Sequence, residues 1–344
     1  MEQIQCRKCV MDKSASEITF DKEGVCNFCY QAQKSLKEIE SEKDNLWEIR
    51  RQIKKDGKDK KYNVLIGLSG GADSSTVLHH AVDLGFKPLT YSIDNGYNDS
   101  RADENIMRLV ETLKVPFYRY TIDLDKFKKL QSAFIKAGVP NIEIPTDHIL
   151  LASSYEVADD NDIKWILSGG NTSTESIMPE SWGYNARDLV HIEAIYGGKV
   201  EGLPTCSLWK WNMYRWDKGI KMMYLLDYLD YNRAESIKML EEKYGWKDYG
   251  EKHCENDFTK WFQNYYLFEK FGFDKRKAHL SSLINSGQMT RKEVLEALKK
   301  FPEYPKLGLE EIVMQYPKRS HDSYPKDEKL YKAIAETIKE LGWK

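Results

Sequence analysis

Short apolar, β-prone runs alternate with helically spaced stripes through the middle of the chain. Residues 64–68 are such a run, as expected of a strand buried in a parallel sheet. Residues 74–84 follow with Val77, Leu78, Ala81 and Leu84 at helical spacing, and Gly85 stands where a C-cap belongs. Residues 88–94, 116–122 and 163–167 predict three more strands. Residues 99–114, 124–137 and 146–158 predict the helices between them. This alternation argues an α/β fold, a doubly wound parallel sheet with right-handed crossovers that binds ligands at the carboxyl ends of its strands. Upstream, Leu36, Ile39, Leu46, Ile49 and Ile53 form a helical stripe that runs into the charged stretch 54–61. Downstream of about residue 183 aromatics become dense. Helices are expected near 216–244, 257–271, 290–301 and 327–341, with a capping box at Thr290 and Glu293. The chain divides into 1–30, a linker helix over 31–60, a sheet domain over 61–183 and a mostly helical region over 184–344.

Charged residues make up 31% of the 344. No apolar run approaches the roughly 18–20 residues of a membrane span, and the first residues lack the apolar core of a signal peptide. The expectation is a cytoplasmic protein with no membrane insertion. A net charge of -2 disfavours a dedicated nucleic-acid binder.

Four of the six cysteines form Cys6-x-x-Cys9 and Cys26-x-x-Cys29, with 16 residues between the pairs. That is the spacing of a tetrahedral Cys₄ zinc site. The segment between them is too small to fold on its own core, so metal would supply its folding energy. Two disulfides, or an iron–sulfur cluster on the same ligands, are the other readings. The zinc reading makes residues 1–30 a structural knuckle.

The run 64–68 ends in Ser69-Gly70-Gly71-Ala72-Asp73-Ser74-Ser75. Two glycines and a helix N-terminus suit a pyrophosphate. Neither the Walker loop nor the dinucleotide fingerprint is present. An ordinary glycine turn would give the hydroxyls and the carboxylate no packing purpose. The motif resembles the PP-loop of the ATP pyrophosphatases, which cleave ATP between the α and β phosphates. A second turn, Gly169-Gly170-Asn171, follows the fourth predicted strand. The resemblance implies a nucleotide held by Leu68, Ser69, Gly70, Gly71, Asp73, Ser74 and Ser75, with Gly169, Gly170 and Asn171 near the phosphates. It places Ile93 and Asp94 near adenine and ribose.

Two polar stretches stand out later, 252–256 with Lys252 and His253, and 273–282 with Arg276 and His279. Basic residues beside aromatics suit an anionic substrate or a charged transition state, and equally a solvated face. The late block Phe-Gly-Phe-Asp-Lys-Arg-Lys-Ala-His-Leu-Ser-Ser-Leu-Ile, followed by Ser-Gly-Gln-Met-Thr-Arg, resembles the N-acetyl sugar amidotransferases of bacterial surface-glycan biosynthesis. So do the cysteine pairs and both glycine turns. Members serve lipopolysaccharide O-antigen and pseudaminic or legionaminic acid pathways. Cys254 departs from the family's pattern.

The resemblance implies an ATP-dependent ligase using ATP, Mg²⁺ and Zn²⁺. The acetamido oxygen of an N-acetyl sugar would be adenylated and replaced by ammonia, giving an acetamidino sugar, AMP and pyrophosphate. Asp73 would orient the metal or phosphates, while Lys252, His253, Arg276 and His279 would serve the substrate side. The chain shows no glutaminase signature. The implied ammonia source is a class I glutaminase subunit with a barrel subunit similar to those of imidazole glycerol phosphate synthase. Two rival readings remain: a PP-loop tRNA thiolase, which would need a reactive or cluster-binding cysteine that 61–183 lacks, and a non-catalytic nucleotide-binding scaffold.

Overall fold

The computed structural model of the chain describes residues 4–183, 188–250 and 252–316. Five parallel strands form its sheet: β1 (Val64–Gly67), β2 (Pro88–Asp94), β3 (Phe117–Thr121), β4 (Trp165–Ser168) and β5 (Lys221–Tyr224), in the order β3-β2-β1-β4-β5. Leu65 of β1 lies opposite Leu89 on one side and Ile166 on the other. The order turns back on itself between β1 and β4, which makes their carboxyl ends the switch point where such sheets bind ligands.

Both faces of the sheet are covered, which is why Val64–Ile66 of β1 and Trp165–Leu167 of β4 are apolar without a break. The helices ahead of the sheet are α1 (Asn27–Glu42) and α2 (Leu46–Asp56). Between the first four strands run α3 (Ala72–Asp83), α4 (Ser100–Leu113), α5 (Leu124–Ala137) and α6 (Ile144–Asp160). Val64 and Ile66 point into a core with Val77 and Leu78 of α3 and Leu109 of α4. Leu65, one residue over, points into the opposite core with Phe127 and Phe134 of α5 and Ile149 of α6. The described chain after β4 adds α7 (Thr172–Glu175), α8 (Leu189–Tyr196), α9 (Leu208–Asn212), α10 (Arg233–Tyr244), α11 (Asp257–Trp261), α12 (Leu267–Phe271), α13 (Arg276–Asn285), α14 (Arg291–Ala297) and α15 (Glu310–Gln315).

Three expectations change. The stretch 31–60 is two helices, because a 3₁₀ turn at Lys43–Asn45 separates α1 from α2. The stretch 216–244 is not one helix, and the region after 183 is not helical throughout. Lys221–Tyr224 joins the sheet as an edge strand beside β4, with Met223 buried and Lys221 and Tyr224 exposed. Lysine and methionine are good helix formers, so pairing with β4 overrides local propensity here. The helix expected at 327–341 lies outside the described residues. The capping box at Thr290 and Glu293 is formed.

Candidate functional site

The four cysteines come together first. All four side chains are buried and unbridged. Sulfur–sulfur distances are 3.9 Å for Cys6 to Cys29, 3.7 Å for Cys9 to Cys26 and 3.8 Å for Cys26 to Cys29. Disulfide sulfurs would stand about 2.05 Å apart. A tetrahedron of metal–sulfur bonds near 2.3 Å has edges of about 3.8 Å. The group therefore fits one tetrahedral ion. Its surroundings suit thiolates: the amide of Cys9 and that of Cys26 donate to Cys6 Sγ, and Asn285 Nδ2 donates to Cys29 Sγ. Arg291 holds the loop through the carbonyls of Cys9 and Cys6, at 3.1 and 3.2 Å. The knuckle is thereby docked on α13, whose Ser281 accepts the Val10 amide at 3.2 Å.

The second constellation surrounds a cavity of ≈ 390 Å³ at the carboxyl ends of β1, β2 and β4. Its floor is the loop between β1 and α3. Gly70 has φ +81°, and a side chain there would collide with the Ala102 backbone. Ser69 Oγ accepts the Gly71 amide at 3.2 Å, and Ser74 Oγ donates to the Gly71 carbonyl at 3.3 Å. Gly169 packs so closely that a Cβ would sit 3.0 Å from the Ser74 nitrogen. The two glycine turns form one cradle at the N-terminus of α3, a place that favours phosphate.

The charges above that cradle come from far along the chain. Lys252 Nζ lies 2.8 Å from both Asp73 and Glu175 and donates to Thr174 Oγ1 at 2.6 Å. Burial works against its charge, but Asp73 and Glu175 more than restore it and hold its pKa above the ordinary lysine value. Tyr231 donates its hydroxyl to Asp73 in a short hydrogen bond. Ser69 donates to Glu255 Oε1 at 3.2 Å. The other oxygen of Glu255 is buried and has no hydrogen-bond partner among the described residues. Burial raises the Glu255 pKa. Asp73, Glu175 and Glu255 thus face the phosphate cradle with Lys252 and Arg233 as the basic residues of the lining. A polyphosphate would meet net repulsion there unless a divalent cation came with it. The orphaned Glu255 oxygen and the hard oxygen donors around it fit Mg²⁺, which takes one or two carboxylates plus substrate phosphates.

The remaining expected residues divide. Leu68, Ser69, Gly71, Asp73, Ser74, Ile93, Gly169, Gly170, Lys252 and His253 line the cavity. Gly70, Ser75 and Asn171 support it from behind: Ser75 is buried in α3, and Asn171 caps α7 by accepting the Thr174 amide at 2.9 Å. Asp94 turns onto the Gly96 amide at 2.9 Å and is not in the lining. His279 is buried behind His253, with ring centroids 5.0 Å apart. His253 itself has φ +65°, a strained backbone for a side chain of this kind. Desolvation by the surrounding protein, then His279, Lys252 and Lys275, hold the His253 pKa well below the ordinary value, so its ring is neutral at pH 7. Arg276 does not reach the cavity. Its guanidinium forks onto Asp274 at 2.9 and 2.8 Å and donates to the Lys300 carbonyl at 2.8 Å. The spacing of Asp274 and Arg276 at the start of α13 locks that local pair.

Sequence reasoning did not find Glu143, Asp147, Glu175, Tyr231, Arg233, Tyr249 and Glu255. Glu255 sits one residue after Cys254 inside a segment already singled out, which was its available signal. Glu143 and Asp147 lie at the start of α6 and also line the cavity. Burial, then repulsion from Asp147, pushes Glu143 up to about 8, and desolvation by the crowded cavity wall around the exposed Asp147 pushes it up to about 6.

The chain is similar in structure to a U34-tRNA thiolase NcsA from Methanococcus maripaludis solved with its [4Fe-4S] cluster, at 14% identity over 88% of this chain and 91% of that one, with a TM-score of 0.36. It is also similar to an NH3-dependent NAD synthetase from Campylobacter jejuni, at 18% identity over 61% and 93%, with a TM-score of 0.30. An NMN synthetase from Francisella tularensis matches at 13% identity over 63% and 93%, with a TM-score of 0.29. No curated protein matches the chain in sequence. No helix of the described residues is long and apolar enough to cross a membrane. The segment that brings Glu255, Asn256 and Thr259 to the cavity is also matched by a family model: residues 255–339 are similar to the C-terminal domain of WbpG-like LPS biosynthesis proteins.

Proposed function

We propose that the chain is an ATP-dependent, AMP-forming amidotransferase acting on an N-acetylated sugar in LPS or related surface-glycan biosynthesis. The observation that carries the reading is one cavity in which the phosphate cradle of residues 69–74 meets Lys252, His253 and Glu255, at the edge of the WbpG-like segment. An acetamido oxygen is a poor leaving group. Attack of that oxygen on the α-phosphorus of ATP expels pyrophosphate and makes the oxygen part of a good leaving group, AMP. Ammonia then adds to the carbon, and the C–O bond breaks to leave the acetamidino sugar. The loop amides and Lys252 would steady the charge that develops on the phosphates. Mg²⁺, held by Glu255 and Asp73, would supply further neutralisation. Zinc would fill the cysteine group as a structural ion. Ammonia would come from a glutaminase and barrel-subunit pair.

The tRNA thiolase reading needs a cysteine where the adenylated atom is attacked. Among the described residues no cysteine lines the cavity. Cys254 is buried in a core and Cys206 accompanies His148 elsewhere. The deciding experiment incubates the protein with Mg-ATP, high ammonium and a panel of N-acetylated nucleotide sugars. A product lighter by the difference between O and NH, together with AMP and pyrophosphate, is expected. Formation of ADP in place of AMP would sink the adenylation step, and turnover with tRNA but no sugar would establish the thiolase.

A further inference from the structure

The cavity holds two carboxylates that the phosphate chemistry does not use, Glu143 and Asp147, and Glu143 is the buried one. Glu143 precedes α6, is 9% exposed and lines the cavity. Thr259 donates its hydroxyl to Glu143 Oε1 at 3.0 Å. Thr259 belongs to the segment that begins at Glu255, and Glu255 accepts from Ser69 of the phosphate loop. Glu143 and Glu255 line the same cavity, and Glu255 is among the charges that act on the Glu143 carboxyl, so that carboxyl shares the cavity with the cradle.

Resting on the amidotransferase reading, we infer that Glu143 is the base that takes the proton from ammonium so that ammonia can attack the adenylated acetamido carbon. Nitrogen taken up from neutral solution is the ammonium cation, which is useless as a nucleophile until one N–H bond breaks. That proton passes to an oxygen of the ionised Glu143 carboxylate, the form whose share grows as pH rises toward 8. The freed lone pair forms the new C–N bond, the C–O bond to AMP breaks with its electron pair, and the product leaves as the amidinium cation. Glu143 returns its proton to solvent through the open cavity. The surroundings favour this role. Asp147 and Glu255 are the acidic neighbours, Lys275 is the basic one, and the Thr259 hydroxyl fixes one oxygen. The acidic pair attracts a small cation, and burial makes the carboxylate a stronger base than an exposed one.

The test separates the two halves of the reaction in Glu143→Gln and Glu143→Asp. Adenylation is followed by sugar-dependent exchange of labelled pyrophosphate into ATP. Amidination is followed with ammonium and, separately, with hydroxylamine, which is unprotonated at neutral pH and needs no base. For Glu143→Gln the expected result is exchange within about two-fold of the wild type, hydroxylamine product retained, and ammonium product reduced about 10²-fold or more. Glu143→Asp should recover part of the ammonium reaction. Undiminished use of ammonium by Glu143→Gln would overturn the inference, and so would equal loss of exchange and of both products. A wild-type protein that shows no sugar-dependent exchange would instead overturn the amidotransferase reading, and this inference with it.

Discussion

The cysteine knuckle and the phosphate cavity are built on opposite principles. In the knuckle each group has an answer: four sulfurs face one another, amides point at them, and Arg291 closes the loop carbonyls. In the cavity groups are left over. Glu255 keeps an unpartnered buried oxygen, Glu143 and Asp147 crowd one another, and His253 sits on a strained backbone. A closed site holds structure together, whereas an open one keeps its energy for a ligand. α13 joins the two, because its Ser281 and Asn285 hold the knuckle while its His279 backs His253.

The largest effect should come from opening the closed site. Cys26→Ser removes one of the four cysteines that could hold a metal from a segment with little core of its own. Structural zinc contributes apparent binding energies of about 10–16 kcal/mol in small domains. The variant should lose its metal, and the melting temperature should fall by well over ten degrees. Metal content and thermal melting check this together. Equal melting with the metal absent would make the knuckle a bystander.

Next is the ion cluster that bridges both regimes. Lys252→Met leaves the half-buried Asp73 and Glu175 without their cation, which should cost less than the roughly 3–5 kcal/mol of a fully buried pair. The same change puts two uncompensated carboxylates against the nucleotide phosphates. ATP affinity should drop by more than about 10²-fold, and raising Mg²⁺ should recover part of it. Calorimetric titration at two Mg²⁺ concentrations measures both. Unchanged affinity would remove Lys252 from the phosphate site.

The two regions also differ in how much of them the sequence discloses. The cysteine spacing and the strands β1 to β4 are local patterns, and each lies within about two residues of its expected place. β5 was missed because only its neighbour makes it a strand. Lys252 on Asp73, Tyr231 on Asp73 and Thr259 on Glu143 join positions more than a hundred residues apart. No period or spacing encodes such pairs, so the acidic half of the cavity stays invisible until the chain is folded. Arg276 shows the reverse case: its neighbourhood in sequence suggests chemistry, but a carboxylate two residues away claims it.

A smaller effect sharpens the contrast through pH. The Glu143 carboxyl rises from an ordinary 4.5 to about 8 in the fold. Between those values it is protonated when folded and ionised when unfolded. The folded chain then holds more protons, so stability falls as pH rises through that window. Each factor of ten in proton affinity is worth about 1.4 kcal/mol. Glu143→Gln carries no such proton. Its melting temperature should gain on the wild type steadily from pH 5 to pH 8, while Cys26→Ser shows no comparable trend. A constant offset between Glu143→Gln and wild type across that range would mean that the carboxyl is ordinary.

The smallest effect belongs to Arg276, which the late basic block presents as a substrate residue and the fold presents as a brace. Arg276→Gln breaks the fork on Asp274 and the bond to the Lys300 carbonyl. Hydrogen bonds to charged groups contribute about 1.5–3 kcal/mol where they are well formed. The Asp274 side chain also accepts the Arg276 amide, and that bond survives the substitution. Melting should fall by a few degrees, with ATP affinity and the rate of AMP formation within about two-fold of the wild type. Arg233→Gln, on the cavity wall, should do the opposite, sparing stability and weakening the nucleotide or the sugar. If the two variants traded places, the cavity drawn here would have the wrong basic wall, and the late block would reach the substrate directly.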